Sequence, residues 1–550
     1  MKVRTLVGLA FVSALGTLFS TAPFGFSFAI ITGIACLVYI ACHAKYTTEK
    51  WVVFAFQIPL WLWLEHWVID VSIAGWIGLS LYMSMWAPLF VVLLRRVYNS
   101  PNLKKLTVVI SAPTIWVSLE CLRGIVIFDG YPWYLAGTGI VDTAQAQIAA
   151  IGGVWLVSFA VVSWSAAFVS LGHLKKRTIW IIFGTVAVTS LYGNYIKKGP
   201  IPTRLPVALV QTNVPQSNKI AWSREQQIAH VAFAIEQTIQ GAGEKTKFDQ
   251  SPRLIVWPET MLPGSGFEVN GIDFAPHTAS AKFLWSFPEQ IRELAYTLQI
   301  PLLVGSHTWI GVNIEEKNRE WVQITAVEEY NSAVLVQPNG TTSRYDKSFL
   351  TPFGERIPYV SIWPWLEKFV RDSVGAAMLF SLDKGDGQSN LVVQGICGEE
   401  NKPVRIATPI CFEDTVPFVV RNLVWKNNQR QADVLINISN DGWFGNMDAA
   451  RLQHVREARM RCIENRTPMV RVANTGQSCL ITSRGKVQSI AMKDGKTALR
   501  KSTTLTVSLV SGWERPWSLY IGDAVAWLSL IGGILLIACT FNTRSISHDT

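Results

Sequence analysis

A bundle of membrane-spanning helices joined to a water-exposed α/β domain is the fold class this chain predicts. Two observations carry that expectation. Apolar runs poor in carboxylates recur through residues 1–195 and return once at 520–541. Between them, residues 196–519 have the mixed composition of a soluble domain, with β-like and helical stretches in alternation. Only 16% of the 550 residues are charged and 49% are hydrophobic, whereas a typical globular chain is about 25% charged. The middle segment is long enough to bury a core of its own.

The apolar runs fall at about 5–21, 26–43, 51–64, 70–94, 106–121, 145–172, 178–194 and 520–541. A helix needs about 20 residues to cross the hydrocarbon, and the run at 51–64, which ends at Glu65-His66, is the shortest. Eight spans are expected. The cations orient them. With the N-terminus inside, the loops at 44–50, 95–105 and 173–177 also fall inside and carry Lys or Arg; those at 22–25, 65–69 and 122–144 fall outside and are poor in cations. That is the positive-inside pattern. It puts residues 196–519 on the outer face of the membrane. The second apolar run follows closely on the first, which argues against a cleaved leader.

The net charge of +10 is concentrated in those short loops. No basic stripe supports a nucleic-acid partner. The eight cysteines show no CxxC pair or zinc spacing, and the sequence gives no sign of a metal or an organic cofactor. At the outer end of the fifth span, Glu120 and Arg123 have the i,i+3 spacing of an ion pair on one helix face; a structural pair anchoring the span and a headgroup-contacting role both fit them. Gly130-Tyr131-Pro132-Trp133 then reads as a turn with interfacial aromatics.

In the outer domain, strands are expected at 207–211, 254–257, 302–305, 404–410, 434–438 and 469–473. A hairpin is expected over 331–337 and 341–345, around Pro338-Asn339-Gly340. Helices are expected at 223–240, with Ser223 and Gln226 spaced as a capping box, at 288–298, with Pro288 in the first turn, and at 448–464. Two irregular, aromatic-rich stretches, 265–287 and 361–382, have the character of arms or lids, and the second carries Trp363 and Trp365.

Three polar residues punctuate strand-like runs: Glu259 in Trp-Pro-Glu-Thr, Lys347 in Tyr-Asp-Lys-Ser-Phe, and Cys411 in Pro-Ile-Cys-Phe-Glu-Asp. A carboxylate, an ammonium and a thiol are the parts of a cysteine nucleophile site. A free thiol has a pKa of about 8.5 and attacks poorly without help. Glu259 can take its proton. Lys347 and the backbone N–H of Phe412 can stabilise an oxyanion. By residue type alone Cys411 could equally be half of a disulfide or a buried apolar residue.

The three motifs in this order resemble the nitrilase (carbon–nitrogen hydrolase) superfamily and, within it, the apolipoprotein N-acyltransferase family. Glu-Cys-Leu-Arg-Gly…Gly-Tyr-Pro-Trp (120–133), Val-Gln-Thr-Asn-Val-Pro-Gln-Ser (210–217) and Ser-Asn-Asp-Gly-Trp-Phe-Gly (439–445) extend the resemblance over essentially the whole chain. It implies a nitrilase-like αββα sandwich on a membrane bundle. It also implies Glu259 as base, Lys347 as oxyanion stabiliser and Cys411 as nucleophile, with Glu355 and Glu413 as supporting carboxylates. Trp222 and Trp443 become candidates for the lipid-binding cleft. The residue after the nucleophile, often Tyr in the family, is Phe412 here; its N–H survives the change and a hydroxyl does not. The implied reaction moves an acyl chain from a membrane phospholipid, through a thioester, to the amine of a diacylglyceryl-cysteine apolipoprotein. A membrane-tethered amidase or nitrilase, with water as second nucleophile, is the alternative. A transporter with an outer accessory domain would need broken or charged helices at the bilayer midplane, and Glu120 and Arg123 near a helix end give it little support.

Overall fold

The structure is a computed structural model. It describes all residues except 44–47, 104–106, 172–175, 196–202, 216–222, 265, 269–278, 317–321, 357–364, 366–381, 390, 398–399 and 542–550.

The N-terminal part is helical: α1 (Val3–Ser20), α2 (Ser27–His43), α3 (Glu49–Leu64), α4 (Ile73–Ser84), α5 (Trp86–Tyr98), α6 (Val108–Cys121), α7 (Ala149–Ser170) and α8 (Lys176–Asn194). Each expected run is a helix, and α4 and α5 follow each other within the fourth. Among the described residues four helical stretches are long and apolar enough to cross a membrane: Val3–Ser20, Ile73–Tyr98, Val108–Asp129 and Ala144–Ser170. Ser27–His43 and the C-terminal Ala524–Cys539 are shorter apolar helices. Small residues set the packing. A Cβ on Gly16 would lie 2.6 Å from Gly33 Cα, so α1 and α2 cross almost backbone to backbone.

The α/β domain is built on a sheet whose strands, in chain order, are β1 (Arg204–Gln211), β2 (Leu254–Val256), β3 (Leu302–Ile310), β4 (Glu328–Val336), β5 (Thr342–Asp346), β6 (Leu391–Cys397), β7 (Glu400–Ala407), β8 (Val434–Ser439), β9 (Met469–Ala473), β10 (Cys479–Ile481), β11 (Val487–Ile490) and β12 (Thr503–Val510). Their spatial order is β11-β10-β9-β8-β7-β6-β1-β2-β3-β4-β5, with β12 antiparallel on β1. Among the described residues the halves pair at Arg204 opposite Ile396, and the sheet folds into two layers.

Alternation along β1 sorts its side chains. Leu205, Val207 and Leu209 enter the core between the layers, together with Leu435 and Val470. Ala208 and Val210 face the outer helices α9 (Arg224–Gly243) and α10 (Ala279–Leu298), against Val231, Ala234, Phe287 and Ile291. On the opposite side lie α11 (Pro417–Val424) and α12 (Asp448–Asn465). The result is the expected αββα sandwich. The Ser223–Gln226 capping box is present, with bonds of 3.3 and 3.0 Å. One helix differs from expectation: α10 starts at Ala279, so Pro288 lies inside it and not in its first turn.

Helix α12 is buried almost all round. Val455, Ala458 and Cys462 face the sheet core, while Met460 and Ile463 face the membrane bundle. Its polar residues bind the bundle. Arg456 Nη1 donates to Asp142 at 2.6 Å, and Thr138 Oγ1 donates to Glu457 at 2.9 Å. Gly152 and Gly153 break the regular path of α7, and Val154 N–H there donates to Glu464 at 2.7 Å. Buried polar groups of this kind must be paired, so the bonds fix how the sandwich sits on the helices.

Candidate active site

Glu259, Lys347 and Cys411 follow β2, β5 and β7, and the sandwich brings these strand ends to one place. Lys347 is 1% exposed and Glu259 4%. Lys347 Nζ is 3.6 Å from Glu259 Oε1, and Cys411 interacts electrostatically with both. Glu355 completes the set, with its two oxygens 2.9 and 2.8 Å from Lys347 Nζ. Burial opposes the charge on Lys347, but Glu355 and Glu259 outweigh it and hold the ammonium above its ordinary range. Burial likewise works against Glu355, and Lys347 outweighs it and lowers that carboxyl.

Glu259 is oriented on both sides. Asn331 Nδ2, from β4, donates to Oε1 at 2.8 Å, and the Asn440 N–H donates to Oε2 at 2.9 Å. Asn331 Nδ2 also reaches Glu355 Oε1 at 3.1 Å, which ties the two carboxylates together.

Cys411 opens a tight turn, Cys411–Thr415, with φ of 49°. That left-handed geometry is unfavourable for a side chain other than glycine and marks a held position. Cys411 is a free thiol. Burial, with help from the charges of Glu259 and Asp441, pushes it well above the ordinary thiol range, against the pull of Lys347. A thiol raised in this way would need a base to take its proton before it could act as a nucleophile.

Glu413 holds the turn. It is fully buried and accepts from the N–H groups of Ile410 (2.8 Å), Ser348 (2.8 Å) and Phe349 (2.9 Å), and from the Tyr345 hydroxyl (2.9 Å). One carboxylate thus fastens the segment after Lys347 to the strand end before Cys411.

Phe412 stacks at 6.3 Å on both Tyr131 and Trp133 and at 6.2 Å on Phe349. Trp133 is 1% exposed, so the Gly-Tyr-Pro-Trp turn is no interfacial belt: it packs beside Cys411. Glu120 and Arg123 both serve that turn, in place of the mutual ion pair their spacing allows. Glu120 Oε1 accepts from Trp116 Nε1 (2.9 Å) and Ala136 N–H (2.7 Å). Arg123 donates to the carbonyls of Tyr131 (3.2 Å) and Trp133 (2.6 Å). A guanidinium saturating carbonyls shapes the loop in a way an ion pair would not.

Trp443 lies half-buried in the turn Gly442–Phe444. Its neighbour Phe444 makes the aromatic contacts, 5.1 Å from Trp67 and 5.9 Å from Trp133. Trp222, Trp363 and most of the 361–382 stretch lie outside the described residues; Trp365 is exposed. Sequence reasoning missed Asn331, Asn440 and a buried cluster of Asp414, Asp441, His454 and Arg471. The one signal for the cluster was an arginine in the middle of the apolar strand 469–473.

Residues 13–167 match the sequence model of the apolipoprotein N-acyltransferase N-terminal domain, and residues 206–509 that of carbon-nitrogen hydrolase. An apolipoprotein N-acyltransferase of Geobacter metallireducens is 28% identical over 500 residues, covering 88% of this chain and 82% of its own. One from Vibrio vulnificus is 27% identical over 549 residues, covering 96% of each chain. Among solved structures, an amidase from Nesterenkonia sp. is similar over 60% of this chain and 97% of its own, at 13% identity and a TM-score of 0.34.

Proposed function

The chain belongs to the carbon–nitrogen hydrolase family, and from that premise we propose that it is a membrane acyltransferase that N-acylates lipoproteins. The relatives named apolipoprotein N-acyltransferase align with it over most of both chains. The observation that carries the reading is that Phe412, the residue beside Cys411, is walled by Tyr131 and Trp133 from the loop that follows α6. A hydrolase of small soluble amides has no use for such a wall.

In the first half-reaction Glu259 takes the Cys411 proton as the sulfur attacks an ester carbonyl of a phospholipid. The C–S bond forms, the C–O bond breaks, and Glu259 returns the proton to the departing glyceryl oxygen, leaving a lysophospholipid. Lys347 Nζ and the Phe412 N–H stabilise the tetrahedral oxyanion. In the second, the amine of a diacylglyceryl-cysteine attacks the thioester. The C–N bond forms, the C–S bond breaks, and Glu259 carries the amine proton back to sulfur. The dry, aromatic surroundings limit hydrolysis of the thioester. Glu355 keeps Lys347 charged, and Glu413 keeps the two halves of the site in register.

The cation-bearing loops at 44–50, 95–105 and 173–177 support a cytoplasmic location for those loops, and hence a periplasmic site on the inner membrane. Both substrates are then lipid-anchored on the side where Cys411 lies.

The test is mass spectrometry of the purified protein with phospholipid. The peptide containing Cys411 is expected to gain one acyl mass, which a diacylglyceryl peptide then discharges as N-acyl product. Cys411→Ala abolishes the adduct, and Glu259→Gln slows both steps by about 10²-fold or more. Free fatty acid as the sole product in the presence of the amine acceptor would establish the hydrolase alternative instead.

A further inference from the structure

The Ser439 hydroxyl, at the end of β8, lies 3.5 Å from Cys411 Sγ and 2.6 Å from Asp441 Oδ1. It has a single hydrogen to donate. Asp441 is fully buried, and although burial disfavours its charge, Arg471 and His454 more than compensate and hold it well below the usual carboxylate range. Arg471 Nη2 is 2.9 Å from each of its oxygens, and His454 Nδ1 is 3.0 Å from Oδ1. A hydroxyl bond to an ionised carboxylate at this length is of the strong, charge-assisted kind, and sulfur at 3.5 Å does not compete with it. One hydrogen cannot serve both contacts; the ionised carboxylate is nearer and the stronger acceptor, which leaves the Ser439 oxygen with lone pairs to offer the sulfur.

The acceptor cannot swing away. Asp441 has φ of 46°. A Cβ at Gly476 would sit 1.8 Å from its Oδ2, so the backbone presses directly on the carboxylate. Arg471 is fixed as well, since Nη1 donates to Asp414 and to Asn437 Oδ1, both at 2.6 Å. Asn437 Nδ2 in turn bonds the carbonyl of Pro409 at 2.9 Å, just before the nucleophile turn.

We propose that Ser439 is a positioning residue that accepts the Cys411 S–H, held in that role by Asp441 and Arg471, and keeps the sulfur a neutral, aimed thiol until Glu259 takes its proton. This rests on Cys411 being the nucleophile. The charged groups around the sulfur are Glu259 after β2, Lys347 after β5, Asp441 after β8 and Arg471 on β9. Ser439 is neutral, and a bond that it can make only to the protonated sulfur opposes ionisation. A membrane enzyme that waits for two lipid substrates gains from a nucleophile that is not permanently a thiolate, because thiolates are what oxidants and stray electrophiles attack.

The test uses the full-length protein in detergent, with iodoacetamide as probe and mass spectrometry of the Cys411 peptide from about pH 6 to about pH 10. Ser439→Ala removes the oxygen at little change in volume. It is expected to move the alkylation midpoint to lower pH and to speed labelling at pH 7 about threefold or more. The fully buried Cys462 is the internal control for folding: its peptide must stay unlabelled, and if Ser439→Ala exposes it, Ser439→Gly is measured in its place. An unchanged or raised midpoint in the folded variant overturns the proposal. A wild-type Cys411 that labels no faster than Cys462 at any pH overturns the nucleophile assignment beneath it, so the two failures are told apart.

Discussion

Deleting the Glu413 carboxylate should uncouple the two halves of the active site. In Glu413→Ala the backbone N–H groups of Ile410, Ser348 and Phe349 lose their acceptor inside a fully buried space. Each orphaned donor costs about 1–3 kcal/mol. Partial relaxation and an entering water would relieve some of it, leaving an expected destabilisation of about 3–5 kcal/mol. Glu413→Gln separates charge from shape. Its amide oxygen can take the place of Oε1, where the Ser348 and Phe349 donors converge, but its NH2 then faces the Ile410 N–H, one conflict worth about 1–3 kcal/mol. The order of stability should be wild type, Gln, Ala, read by thermal unfolding in one detergent, with a fall of about 5 °C or more for Ala. Acyl-enzyme formation should fall in the same order, because Cys411 and Lys347 both hang on this carboxylate. If the Ala variant melts within a degree of wild type and still acylates at the wild-type rate, the reasoning is wrong and the segments are held by their packing alone.

Acid should weaken the site through Glu355. Lys347 keeps that carboxyl below its ordinary range despite burial, so its contribution is full above about pH 4.5 and is lost as pH falls through the lower folded value. Glu355→Gln should flatten the acid limb of a stability–pH curve; an unchanged limb would show that Glu355 does not govern it. Gly476→Ala drives a methyl into Asp441 and should destabilise by about 1–3 kcal/mol or more, seen as new labelling of the Cys462 peptide. If that peptide stays protected and the melting temperature holds, the contact is softer than its geometry implies.

Much of this molecule was legible in its sequence, for physical reasons. Glu259, Lys347 and Cys411 each stand just past a strand, and a polar group at a strand end is conspicuous. The apolar runs at 5–21 and 106–121 announce helices because lipid leaves the backbone no other solution. What could not be read lies in contacts between distant segments. Asn331 looks like any hairpin residue until the fold sets it beside Glu259. Glu120 and Arg123 have ion-pair spacing, yet Arg123 meets a loop rich in carbonyls and binds those. The start of α10 eluded the pattern because Pro288, a plausible first-turn residue, is tolerated inside a helix whose preceding turn has no clear apolar period.

The rings stacked on Phe412 come from two different territories of the chain, and this has a consequence for anyone who would divide it. Residues 203–515 cut free of the helices would lose Tyr131 and Trp133, uncover the charged face of α12, and leave the cysteine turn open to water on one flank. Such a fragment would fail as a miniature enzyme, and a chimera on a foreign anchor would need the 122–136 loop grafted with it. The helical anchor of this protein also furnishes one flank of the cysteine turn.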